Sequence, residues 1–162
     1  PPRKQANVYL LLESQPEMGE LYYFYCFDRG FHTFRVTNYS AYCPDARRAD
    51  GSYPVCIELH FDPGADLKSS DLVAVAADEL MKFGVIKSKA SISFSKAQIS
   101  NAGFPVLTLR NTQAMRSLRE SVRSQEIRNL IVAGQAPDLG IFFLHDVLEH
   151  NFNALRSYLH WN

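Results

Sequence analysis

The stretch Glu20–Tyr39, ELYYFYCFDRGFHTFRVTNY, decides the fold. Its first part, Glu20–Asp28, is dense in aromatic side chains that favour extended backbone. Asp28-Arg29-Gly30 supplies turn chemistry, and Phe31–Tyr39 returns as a second strand, so the segment predicts a β-hairpin. Leu21, Tyr23, Tyr25 and Phe27 alternate to one face, while Tyr22, Phe24 and Cys26 take the other. The first strand is therefore apolar on both sides. Either it runs centrally in a sheet covered on both faces, or it walls an aromatic pocket whose phenol hydroxyls orient a ligand.

Working outward, Val8–Glu13 reads as a strand closed by Ser14-Gln15-Pro16. Val55–Phe61 alternates strictly, with Val55, Ile57, Leu59 and Phe61 on one face and Cys56, Glu58 and His60 on the other. Between them, residues 40–53 hold Pro44, Asp45, Arg47, Arg48, Asp50 and Gly51 without apolar periodicity and read as a polar loop. The period then changes. Leu72, Val75, Ala76, Leu80 and Phe83 follow helical spacing after a cap at Ser69, Ser70 or Asp71, and Gly84 stops the helix.

Ile92–Gln98 and Phe104–Leu109 are further strand candidates around Asn101-Ala102-Gly103. A second helix starting near Asn111 or Thr112 would carry Met115, Leu118 and Val122 inward and show Arg116, Arg119, Glu120 and Arg123 to solvent. Leu130–Ala133 reads as a short apolar strand ending at Gly134. A last helix, about Phe142–Tyr158, would bury Val147, Leu148, Phe152 and Leu155. Strands first and helices later predict an α+β fold, an antiparallel-rich mixed sheet with about three helices packed on it.

Composition narrows the function. The 162 residues are 46% apolar and 21% charged, enough for one well-filled core without metal or disulfide staples. Lys+Arg and Asp+Glu are balanced at 17 each, which disfavours nucleic acid as a partner. The longest apolar run, Leu21–Phe27, is too short to span a bilayer. Cys26, Cys43 and Cys56 are odd in number and lack CxxC spacing, which suits reduced thiols and a cytoplasmic location. The first residues, Pro1-Pro2-Arg3-Lys4-Gln5, carry neither Met nor a signal peptide and suggest a piece of a longer protein.

None of the eight glycines forms GxGxxG, GxxxxGK(S/T) or GxSxG, so the usual phosphate cradles and nucleophile elbow are missing. Arg35 sits mid-strand on the face of Phe31, Thr33 and Thr37, and Glu58 sits mid-strand in Val55–Phe61. Charges in apolar company are paired or bind something anionic. An Arg35–Glu58 ion pair is one reading; an arginine fork on a ligand carboxylate or phosphate is the other. His145, Asp146, Glu149 and His150 do not converge on one helix face and do not make a metal site. Cys26, Cys43 or Cys56 beside His32 or His60 lacks any local signature of a thiol nucleophile.

Three segments resemble the C-terminal half of flavoproteins in the amine oxidase, protoporphyrinogen oxidase and UDP-galactopyranose mutase superfamily. Leu21–Asn38 resembles the aromatic strand followed by F-x-R-V. Val55–Ile86, with Glu58 and ELMKFGVI, is similar to a strand and helix end of the form L-x-x-x-G-hydrophobic-I. Asn129–Val147, NLIVAGQAPDLGIFFLHDV, looks like the closing strand, glycine turn and last helix, N-L-x-hydrophobic-x-G-R…G-x-(F/Y)-x-x-x-D-(M/V). Here Gln135 replaces the arginine, and the interval from Gly134 to Gly140 is longer than in the mutases.

The resemblance implies a C-terminal substrate-binding portion of an FAD-dependent oxidoreductase or flavin-dependent isomerase. Residues 1–128 would be substrate-domain-like, and 129–162 the closing strand and helix of an FAD domain. Gly134, Gly140, Phe142 and Asp146 would face the cofactor, and Arg35, Tyr23 and Tyr25 the substrate. FAD would belong to the full-length parent, with none held by this chain alone. Its partners would be the missing N-terminal FAD-binding part, a small-molecule substrate and, through an uncovered surface at 134–143, a second copy of itself. No catalytic side chain and no activity is expected of the chain by itself. The other functional class left open is a non-catalytic α+β module that binds a ligand or a partner protein.

Overall fold

The computed structural model describes residues 3–46, 48–100, 108–124, 130–131, 133 and 144–159. The chain divides into two compact units, residues 1–105 and 106–162. In the first, β1 (Lys4–Leu12), β2 (Tyr23–Tyr25), β3 (Thr33–Asn38), a single turn α1 (Tyr39–Tyr42), β4 (Tyr53–Phe61), α2 (Ser69–Lys82) and β5 (Ile92–Ser100) follow one another. The second contains α3 (Leu109–Ser124) and α4 (Leu144–Leu159). The five strands form one sheet in the order β2-β3-β4-β1-β5, with every neighbouring pair antiparallel. The α+β class with an antiparallel sheet is as expected. No described helix is long and apolar enough to cross a membrane.

Strand alternation sorts the side chains into two faces. Ala6, Val8, Leu10 and Leu12 of β1, Val55, Ile57 and Leu59 of β4, and Val36 of β3 are buried on one of them. Leu72, Ala76 and Leu80 of α2 recur every four residues and join the same core, with Met18, Val85 and Ile86 around them. Each fully buried aliphatic side chain contributes about 1.5–3 kcal/mol. The α2 stop is as the sequence predicts. Gly84 adopts φ +72°, and the Val85 and Gly84 amides donate to the Leu80 and Met81 carbonyls at 2.9 and 3.0 Å, a Schellman closure. The start is not. Lys68 holds the N-cap position without a side-chain cap bond, and Ser70 turns its hydroxyl to Asp71 instead.

Several expectations are corrected. The aromatic strand is a three-residue edge strand, so the doubly covered central position does not hold; Phe27 just beyond it is 79% exposed. Leu109 opens α3 rather than closing a strand, while residues 104–107 of that candidate lie outside the described residues. Leu130, Ile131 and Ala133 are not in a strand. The apolar stripes of α3 and α4 are only partly turned inward: Val122 and Val147 are half-buried, but Leu118 is 59%, Leu148 61% and Phe152 62% exposed, and Met115 and Leu155 are exposed too. Helical periodicity identifies an apolar stripe; it does not say that the same chain supplies the layer covering it.

One buried carboxylate joins α2 to the sheet. Glu79 is only 4% exposed and accepts from the His32 amide at 2.9 Å, the Thr33 amide at 2.8 Å and the Thr33 hydroxyl at 2.5 Å. Removing it would strand three donors, at a cost of about 1–3 kcal/mol for a buried group left unsatisfied. Glu79→Ala should therefore lower unfolding stability by about 2–4 kcal/mol in urea titration, and Thr33→Val by only about 1 kcal/mol. Equal losses in the two variants would contradict this assignment.

Candidate functional site

The second face of the sheet carries the polar residues. Pairing registers align Tyr25 with Arg35, Arg35 with Glu58, Glu58 with Asn7, and Asn7 with Gln98, one residue from each of the five strands. Gln5, Tyr9, Thr37, Cys56 and His60 flank this row by the same alternation. Thus Arg35, Tyr23 and Tyr25, the substrate-side candidates, lie together on one open face.

A β-bulge sharpens the arrangement. Thr33 pairs with Leu59 and Arg35 with Glu58, leaving Phe34 as the extra residue. Thr33 consequently faces Glu79 in the core, and Phe31 stacks on Phe83 at 4.6 Å. Both were expected beside Arg35; the bulge breaks the strict alternation on which that expectation rested. Phe34 takes their place on the open face. It lies nearly parallel to the His60 ring at 4.4 Å and packs against Tyr25 at 5.1 Å.

Arg35 Nη2 donates to Glu58 Oε1 at 2.8 Å, so the ion-pair reading holds. Gln5 Nε2 lies 3.3 Å from the same carboxylate oxygen and 3.3 Å from Asn7 Oδ1. The guanidinium carbon is 5.9 Å from the centre of the Tyr25 ring, a cation–π distance. Tyr25 continues to Tyr23 at 5.3 Å and to Phe27, in stacked orientation, at 5.9 Å. Burial pulls the Arg35 pKa down, but Glu58 and the Tyr25 phenol more than offset it, leaving the group above the ordinary arginine value. The buried Arg35 Nε has no hydrogen-bond partner. The cluster thus combines a compensated, partly exposed charge and a run of aromatic rings, a combination that suits a polar ligand with a flat or apolar portion.

Burial holds His60 below the usual histidine pKa, so its ring is uncharged at neutral pH. Burial, reinforced by Glu58, pushes the Cys56 thiol up to about 11. That thiol is protonated at neutral pH and is no nucleophile. Of the cofactor-side candidates, Gly134, Gly140 and Phe142 lie outside the described residues. Asp146 stands in the first turn of α4, where a carboxylate is favoured by the helix dipole, with His145 Nε2 at 3.2 Å from its Oδ1. Sequence reasoning missed Gln5, Asn7, Phe34 and Glu79. The alternation of KQANVYLLL already marked the first two, had the strand been extended back to Lys4.

No protein-family model matches the chain, and no curated protein matches it in sequence. Its fold does match solved structures. The crystal structure of reduced UDP-galactopyranose mutase superposes with a TM-score of 0.82 at 10% identity, over 100% of this chain and 35% of that chain. A protein described as a protoporphyrinogen oxidase, from Exiguobacterium sp. 255-15, matches with a TM-score of 0.60 at 15% identity, over 98% of this chain and 35% of that chain. The chain therefore has the fold of about a third of these enzymes, and the resemblance drawn from its sequence stands at the level of fold.

The three cysteines give a direct check on the site's electrostatics. Cys43 is exposed, Cys26 half-buried and Cys56 buried. Timed iodoacetamide labelling at pH 8, read by mass spectrometry, should modify Cys43 readily and Cys56 only after unfolding. Early modification of Cys56 in the folded chain would contradict the raised thiol pKa.

Proposed function

We propose that this chain is the C-terminal substrate-binding portion of a longer flavoprotein, an FAD-dependent oxidoreductase or flavin-dependent isomerase of the cytoplasm. The observation that carries the reading is the full-length fold match to about a third of UDP-galactopyranose mutase, at a TM-score of 0.82. The open sheet face, with its compensated charge and aromatic row, supports it as the substrate wall. In this reading the partly exposed guanidinium of Arg35 meets the substrate while Glu58 holds it in place. Tyr23 and Tyr25 supply flat contacts.

The flavin supplies the redox chemistry when bound, and the protein positions the substrate against it. FAD is held mainly by the N-terminal part of the parent, so this chain alone turns over nothing. Residues 129–162 close the FAD domain, with Gly134, Gly140 and Phe142 toward the cofactor. Asp146 fits such a place, since its carboxylate sits at a helix start, where it can accept hydrogen bonds from cofactor hydroxyls. The exposed stripe Leu144, Leu148, Phe152 and Leu155 is then the surface that the missing part covers.

Two results test this. The coding sequence upstream of Pro1 should contain GxGxxG between a strand and a helix, and the parent should purify yellow with bound flavin. A colourless parent that takes up no added FAD, or an unrelated upstream domain, would contradict the proposal and leave a binding module. In the flavin-loaded parent, Arg35→Ala should raise KM about tenfold or more, as expected when a charge-assisted hydrogen bond to substrate is lost. The flavin content should stay unchanged; an unaltered KM would remove Arg35 from the substrate site.

A further inference from the structure

The loop between α1 and β4 contains the dipeptide Asp50-Gly51. A glycine has no side chain to shield its amide or restrict its backbone, so its nitrogen can reach the carboxyl carbon of an aspartate just before it. In that reaction the Gly51 nitrogen forms a bond to Asp50 Cγ. One carboxyl oxygen leaves as water, taking the amide proton and a proton from solvent, and the product is a succinimide ring. Water then opens the ring at either carbonyl and returns a proton. One opening restores aspartate; the other leaves isoaspartate, whose main chain runs through Cγ. Water is the sole co-reactant, and the net composition is unchanged.

The folded loop opposes the first step at both reacting atoms. Asp50 Oδ1 accepts from the Ser52 amide at 2.9 Å and from the Ser52 hydroxyl at 2.6 Å, and Oδ2 accepts from Arg48 Nε at 3.2 Å. Donors at both oxygens hold the carboxylate toward Ser52 and Arg48, with Ser52 closing an Asx turn. The nucleophile is occupied too. The Gly51 amide donates to the Arg48 carbonyl at 2.9 Å, with Gly51 at φ +81°. The hydrogen bonds from Ser52, with a smaller contribution from Arg48, hold the Asp50 carboxyl down at about 2, so it stays an anion, the poorer electrophile.

Burial is not what protects this bond. The Asp50 and Arg48 side chains are 55% and 56% exposed, so solvent reaches the carboxylate, whereas Ser52 is buried at the entrance to β4. The site is shut by loop conformation and is released by local opening that frees Asp50 from Ser52. We propose that Asp50-Gly51 is a latent isoaspartyl modification site, which the folded loop keeps closed through Ser52 and surrenders to succinimide formation when the loop opens. Isomerisation would add one carbon to the main chain and attach the free carboxylate directly to Cα, so the contacts that Asp50 makes to Ser52 would be lost ahead of β4.

The test is prolonged incubation of the 162-residue chain at physiological temperature and neutral pH, with isoaspartate at position 50 read by peptide mapping and mass spectrometry. A synthetic peptide of residues 44–56 serves as the unprotected reference. The peptide should isomerise freely and the folded chain far more slowly. Ser52→Ala should isomerise about tenfold faster than the unaltered chain, as loss of one hydrogen bond to a charged group implies. Arg48→Gln, which removes only the exposed contact, should rise about twofold. A folded chain that isomerises as fast as the peptide, or a Ser52→Ala rate equal to that of the unaltered chain, would overturn the proposal. Should thermal unfolding show that Ser52→Ala has lost its fold, Arg48→Gln decides, and no increase there would overturn it.

Discussion

The carboxylate of Glu79 is the constraint on which the arrangement of this sheet depends. It arrives from α2 and binds both the amide and the hydroxyl of Thr33, which fixes that residue on the core side of β3. Two positions later Arg35 meets Glu58 on the other side. Residues two apart in a regular strand share a face, so the chain satisfies both contacts only by inserting Phe34 as a bulge. The bulge places Phe34 and Arg35 on the same surface. A helix-to-strand hydrogen bond thereby composes a site on the opposite face from the helix.

That opposite face differs from the core in kind. The core face is filled by aliphatic side chains under α2, whereas the open face places Tyr25, Arg35, Glu58, Asn7 and Gln98 in one row across five strands. A sheet that merely needed solvation would not stack Phe34 on His60 or leave a buried guanidinium N–H without an acceptor. Because Glu58 already neutralises Arg35, the face offers direction more than net charge. Such a surface is suited to orienting a polar ligand without attracting every anion.

Much of this was legible in particular residues. The alternation of Val55–Phe61 gave both faces of β4, and Gly84 gave the end of α2 with its positive φ. The hairpin at Asp28-Arg29-Gly30 was equally plain, and the flavoprotein resemblance anticipated the fold found in the solved structures. The bulge was not legible, because it is imposed by Glu79, 46 residues away from Thr33. Nor was the edge position of the aromatic strand, since local pattern does not say which strands will lie beside it. The exposed stripe of α4 exceeded the same limit, for its periodicity marks a face to be covered without naming the cover.

The central claim is that the open face of this sheet is a substrate wall turned toward a flavin held elsewhere in a longer protein. A crystal structure of the parent protein with FAD bound measures it most directly. The account predicts the flavin ring on the side of Tyr25, Arg35 and Glu58, with room for a substrate between ring and sheet. A flavin on the α2 side, or an open face sealed by packed side chains of another domain, would contradict it.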